Sequence, residues 1–215
     1  MSVLYIVNKS FNHEKGNSLL LFFFSSVASL KSQVDIGLKF GFNISNIVEE
    51  KSKSDIENFG ELEAIHFGLV GLFDLTNNFE IQAEIFAIGK GYDTRAVGAD
   101  FQLLKNYIAA PILLKYEVVP RLSILGGLEP SYTLSTFWTN GLEFQNVSEA
   151  FKDHRRFDLG FATGLAFRFA ERWSLDLRYT GGVLFANSDI FRAYNRSFYF
   201  SIHRYFGNQT DPKNS

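Results

Sequence analysis

The chain has 215 residues, enough for one domain with a tail, and its 21 basic against 23 acidic residues exclude nucleic-acid binding through a basic face. Hydrophobic residues reach 46%, yet no run of about 18 or more apolar residues occurs, which excludes a helical membrane protein. Cysteine is absent, removing disulfides and thiolate metal sites, while Phe (24) and Tyr (9) are abundant, as a strand-rich protein with aromatic girdles requires.

At the N-terminus Lys15 precedes Leu19-Leu20-Leu21-Phe22-Phe23-Phe24-Ser25-Ser26-Val27-Ala28, an apolar core too short to span a bilayer. Small residues follow, with one cleavage site at Ser26-Val27-Ala28 and another between Ser32 and Gln33. This reads as a secretory signal peptide; a short buried helix or strand is the alternative. The stretch before the apolar core is long for a signal peptide, which points to a true start downstream of Met1. The expected organisation is therefore signal peptide and upstream residues over 1–32, a barrel domain over 33–206, and a short polar tail over 207–215.

From Val34 to Ser45 every second residue is a large apolar one, and the residues between are charged, polar or glycine. Side chains on a strand point alternately to opposite faces, so this is a strand with one apolar and one wet face. Its length exceeds that of a typical soluble strand and fits a tilted membrane crossing. A second strand over 65–74 puts Ile65, Phe67, Leu69 and Phe73 on the apolar side. The third, over 79–89, carries Glu80, Gln82 and Glu84 against Phe79, Ile81, Ala83 and Ile85. A cationic side chain facing lipid near the midplane costs about 2–4 kcal/mol and an acidic one somewhat less, so the polar set must point inward. The fourth, over 107–116, turns Ile108, Ile112, Leu114 and Tyr116 outward and Lys115 inward; Pro111, which donates no ladder bond, is its weak point. The fifth (122–134) alternates Leu122, Ile124, Leu128 and Tyr132 with Ser123, Gly127, Glu129 and Ser131. The sixth (157–169) alternates Leu159, Phe161, Leu165, Phe167 and Phe169 with Asp158, Gly160, Gly164 and Arg168. The seventh (173–183) sets Trp173, Leu175, Leu177 and Tyr179 against Asp176 and Arg178. The eighth sets Phe198, Phe200, Ile202 and Phe206 against Ser197, Tyr199, Ser201 and Tyr205.

The connections alternate too. Short turns fall at 75–78, 117–121 and 170–172; long polar loops fall at 47–63, 91–105, 136–156 and 186–195. Outer-membrane barrels pair short periplasmic turns with long outer loops, and an even strand count puts both ends on the short-turn side. A soluble lipocalin-like binding barrel would also alternate, but it would line its cavity with apolar residues; the wet face here carries charges on nearly every strand. The expected fold is all-β: an eight-stranded antiparallel up-and-down transmembrane barrel.

Several segments resemble the PorT-like family of Bacteroidetes outer-membrane β-barrel proteins (outer membrane protein beta-barrel domain). The opening strand, Gly37-Leu38-Lys39-Phe40-Gly41-Phe42-Asn43-Ile44-Ser45-Asn46, is similar to the family's glycine-spaced strand ending in Asn-x-Ser-Asn. Phe79-Glu80-Ile81-Gln82-Ala83-Glu84-Ile85 carries it further, and Tyr107-Ile108-Ala109-Ala110-Pro111-Ile112-Leu113-Leu114-Lys115-Tyr116 resembles its proline-containing strand. Gly126-Gly127-Leu128-Glu129-Pro130-Ser131-Tyr132 and Asp176-Leu177-Arg178-Tyr179 resemble two more. Ala109 stands where the family usually has an acid, leaving Lys115 short of one partner. Phe206 matches the terminal aromatic read by barrel-assembly machinery, although nine residues follow it. The resemblance implies an OmpA/OmpX-like barrel in the outer membrane and, since one member is associated with secretion, an accessory role in protein secretion.

The inward set holds Asp35, Lys39, His66, Glu80, Glu84, Lys115, Glu129, Asp158, Arg168, Asp176 and Arg178. An eight-stranded barrel is just wide enough for side chains to fill it, so these charges are expected to pair and plug the lumen rather than form an ion path or a catalytic carboxylate pair. Of the histidines, His13 lies in the signal region and His154 in the cluster Lys152-Asp153-His154-Arg155-Arg156, while His66 and His203 face inward at opposite ends of the barrel. None sits in a nucleophile motif. Gly89-Lys90-Gly91 mimics a phosphate loop without a following helix, Gly181-Gly182 relieves crowding, and Arg204 faces outward at the membrane border. No catalytic, cofactor or metal site is expected. Expected partners are outer-membrane lipid, the barrel-assembly machinery through the Phe206 strand, and envelope or secretion proteins; no nucleic acid is expected, and the chain should be a monomer. A narrow channel and a lipid-modifying barrel enzyme are the alternative functions.

Overall fold

A computed structural model describes residues 34–49, 59–96, 99–139, 143–149, 156–183, 186–188 and 191–206. The signal segment, His13, His154 with most of its basic cluster, and the 207–215 tail lie outside the described residues. Every element is a strand: β1 Val34–Glu49, β2 Phe59–Gly60, β3 Leu62–Asp74, β4 Phe79–Ala96, β5 Ala99–Ala109, β6 Ile112–Val119, β7 Leu122–Thr139, β8 Phe144–Asn146, β9 Phe157–Ala170, β10 Trp173–Gly182, β11 Ala186–Ser188 and β12 Phe191–Tyr205.

The long strands pair antiparallel with their sequence neighbours, and β1 pairs β12 from Gly37↔Tyr205 to Glu49↔Ala193, so the sheet closes on itself. Eight staves result: β1, β3, β4, β5 continued by β6, β7, β9, β10 and β12. β2, β8 and β11 add short pairings at the long-loop end. The fourth stave breaks at Ala110-Pro111, as the proline requires. Glu84 N–H still reaches the Pro111 carbonyl (3.0 Å) and Ala110 N–H the Pro130 carbonyl (2.9 Å), so the ladder bridges the gap.

The alternation expected from sequence holds on every stave. Ile65 and Phe67 are 63% and 59% exposed on the outside, whereas His66 between them is fully enclosed. The outside is therefore apolar and the inside charged, the reverse of a soluble lipocalin-like barrel. The outward residues of β1 from Val34 to Ile44 cover a height of about 25 Å at the usual strand rise and tilt, which matches the apolar band of an outer-membrane barrel. Aromatic pairs mark both borders, Phe79–Tyr116 and Phe169–Trp173 at the short-turn end and Tyr179–Phe198 toward the other.

The loop expectations need correction. Residues 91–96 and 99–105 form a paired hairpin up to Ala96↔Ala99, β7 runs on to Thr139, and β12 begins at Phe191. Beyond the lipid a strand has no reason to keep an apolar face, so its alternation fades while its backbone pairing continues. The turns at 75–78, 120–121 and 171–172 are short, as expected.

Candidate functional site

Lumen-facing positions on the eight staves converge in three charged layers separated by apolar fill. At the centre Glu84 accepts from Lys39 Nζ at 2.8 Å and from both terminal nitrogens of Arg178 at 3.0 and 2.7 Å. Arg178 also donates to Asp176, and Gln82 donates to both Glu84 and Asp176. Lys39 Nζ lies 4.4 Å from the centroid of the Phe86 ring. Two cations meet two carboxylates here, in side chains withdrawn from solvent. Such a cluster is tolerated because its members are paired and hydrogen-bonded.

Toward the long-loop end Lys90 pairs with Glu129 at 2.7 Å, and the Tyr199 hydroxyl donates to the same carboxylate oxygen at 2.7 Å. Toward the short turns Glu80 bridges Lys115 at 2.8 Å and Arg168 at 3.3 Å. Glu80 and Lys115 are direct cross-strand partners, so Lys115 has its acid despite Ala109. Between the layers Phe86, Ile88, Tyr107 and Tyr199 form one apolar group, Leu113, Leu125, Ala162 and Ala166 a second, and Val70, Leu72 and Tyr205 a third. Inward glycines make room for them: a Cβ on Gly37 would lie 3.0 Å from the Tyr205 ring. On the outside, a Cβ on Gly181 would lie 2.6 Å from the Phe161 ring, the crowding that its sequence position implied.

His66 and His203 are not at opposite ends of the barrel. His66 faces Gly41 across one ladder and His203 faces Lys39 across the next, one inward step apart. Counting strands without their register hid this, because the shear of a closed barrel offsets neighbouring staves. His66 Nε2 meets Ser201 Oγ at 2.8 Å, a serine–histidine pair that no sequence motif announces. Both members are enclosed, and among the described residues His66 Nδ1 has no hydrogen-bond partner, whereas a hydrolytic triad needs an acid at that nitrogen. Ligand atoms of Glu84, Asp176 and His203 lie within 4.8 Å of one another. Lys39 and Arg178 already pair with those carboxylates, so the group is engaged as an ion-pair cluster.

Lys90 is the lumen residue that the sequence reading placed elsewhere. It continues the inward series Gln82, Glu84, Phe86, Ile88 and shows no phosphate-loop geometry. Above it a small cleft opens at the long-loop end, lined among others by Tyr92, Lys105, Tyr107, Asp158 and Asn195. Asn195 closes part of it by donating to Asp158 at 2.8 Å.

The sequence matches the family described as outer membrane protein beta-barrel domain over residues 24–184. Among solved structures, Neisserial surface protein A is similar with 11% identity and a TM-score of 0.52, covering 81% of this chain and 99% of that one. Ail, the attachment invasion locus protein of Yersinia pestis, solved with the heparin analogue sucrose octasulfate, gives 14% identity and a TM-score of 0.48 over 81% and 99%. No curated protein matches. At such identities the Neisserial likeness speaks for the fold alone.

Proposed function

Because the chain belongs to the outer membrane protein beta-barrel domain family, we propose that it serves the cell envelope as a closed, non-enzymatic structural or interaction barrel whose working surface is its long-loop end. The observation that carries this reading is the lumen. The central layer and the Lys90–Glu129 layer each balance positive against negative charge, and aromatic and aliphatic side chains fill the space between. Residues committed to pairing with one another are poor candidates for conducting ions or turning over a substrate. Beyond the apolar band β8 offers the exposed polar side chains of Gln145 and Asn146 for contact.

The orientation follows the family pattern: short turns and both ends of the mature chain in the periplasm, long loops outside. Signal peptide 1–32 would direct export, and the last strand, whose Phe206 N–H bonds the Ile36 carbonyl at 2.8 Å, would be the segment read by the barrel-assembly machinery. The PorT-like resemblance makes protein secretion the process such a barrel would accompany, with an envelope or secretion protein as partner.

Two measurements test this. In planar bilayers the purified barrel should show no stepwise conductance above the lipid baseline; discrete steps would favour the narrow channel. Cross-linking from intact outer membranes should recover a defined secretion or envelope partner, lost when the hairpin over 91–105 is shortened. Lipid-modifying activity that disappears in His66→Ala would instead make the Ser201–His66 pair an active site.

A further inference from the structure

The three short turns are not alike. The turn after β6 carries Arg121, the turn after β9 carries Arg172, and Arg204 lies beside the latter on β12; all three are exposed. The backbone ties them into one arc: the Arg121 carbonyl accepts from Arg168 N–H at 2.8 Å, and the Arg172 carbonyl from Tyr205 N–H at 2.9 Å. Glu117, four residues before Arg121, and Glu171, next to Arg172, are the acids beside these cations in the chain, whereas the turn after β3 contributes Asp74 and no cation.

Arg204 is directly opposite Trp173 on the neighbouring strand, and its guanidinium carbon lies 4.9 Å from the centroid of the indole. Trp173 in turn rests against Phe169, with ring centroids 6.4 Å apart. Among the described residues neither Arg204 nor Arg121 has a carboxylate partner. Arg121 also occupies a backbone position with φ of +73°, following Pro120, where a tight turn favours glycine or asparagine. An arginine is thus kept where it is conformationally costly, and a second is held over an aromatic ring at the edge of the apolar band.

We propose that this arc is a binding site for the headgroup of an anionic glycerophospholipid, with Arg204 gripping the phosphate and Trp173 seating the glycerol and upper acyl region. A planar guanidinium suits phosphate because it offers two parallel donors, and a place over an aromatic face restrains that fork without spending a carboxylate on it. Tryptophan at the membrane–water border presents an apolar body to the chains and an N–H to the headgroups. A basic group close to an anionic lipid surface favours it about fivefold per charge. The same residues facing only zwitterionic lipid would gain none of this preference.

Trp173 makes the site observable. The chain has two tryptophans, so Trp138→Phe leaves Trp173 as the sole reporter. In bilayers at low salt, brominated phosphatidylglycerol should quench Trp173 more strongly than the same mole fraction of brominated phosphatidylcholine, with a relative association constant of about fivefold or more. The preference should fall toward one in Arg204→Gln and in high salt, while heat-modifiable gel migration confirms that this variant still folds. Equal quenching by the two lipids, or a preference that survives the substitution, would overturn the proposal. Absence of quenching by either lipid would instead show that Trp173 does not face the bilayer, a failure of the membrane placement itself.

Discussion

Glu84→Ala is expected to destabilise the barrel by roughly 3–5 kcal/mol, measured as a lowered urea midpoint for reversible unfolding in lipid vesicles. The carboxylate accepts from Lys39, Arg178 and Gln82 at once. Removing it leaves Lys39 and Arg178 with Asp176 as their only enclosed counter-charge in that layer, a net positive charge in a space closed to water. Breaking one side of a buried pair costs more than the pair contributes, because the orphaned partner stays desolvated. Neutralising both sides should therefore recover much of the loss: Lys39→Met/Glu84→Gln leaves Arg178 matched by Asp176 and is expected to be more stable than Glu84→Gln alone. The double-mutant cycle measures this coupling. A Glu84→Ala midpoint equal to that of the parent would mean that water reaches the layer, and the closed-lumen reading would fall with it.

The second large effect lies on the opposite face. Phe200 stacks on Phe42 across the β1–β12 seam with centroids 5.3 Å apart, in the middle of the apolar band. Phe200→Arg is expected to cost about 2–4 kcal/mol, whereas Phe206→Arg, at the border, should cost about 0–1 kcal/mol. The comparison separates depth from chemistry, since both positions lie on the outside and receive the same residue. Equal penalties at the two depths in the same vesicle assay would be incompatible with a bilayer around this band.

The staves could be read because each crosses lipid on one face and a charged interior on the other, so two-residue periodicity is forced on the sequence. Glu80, Gln82 and Glu84 against Phe79, Ile81 and Ile85 is the clearest case. The same rule, carried two steps further through Phe86 and Ile88, reaches Lys90, which the flanking glycines disguised as a loop residue. The hairpin of residues 91–96 and 99–105 was illegible for the complementary reason: its sequence keeps no two-residue alternation, and polar text resembles a loop whether or not its backbone is paired. Which inward residues touch was also beyond the pattern. Lys39 and Glu84 share a layer, and His66 lies one step from His203, because of the register between strands, and register leaves no trace in a single strand's alternation.

The central layer also constrains the order of events by which the barrel enters its membrane. Its members are far apart in the chain, Lys39 and Glu84 by 45 positions and Glu84 and Arg178 by 94. An isolated strand carrying one of these charges would expose it to hydrocarbon, at about 2.5–3.5 kcal/mol each even on the mildest scale. Shielding requires the sheet already to be curled, with the charged face turned toward itself and the seam between β1 and β12 the last edge to meet. Insertion strand by strand is thereby penalised, and concerted entry of a nearly closed cylinder is favoured.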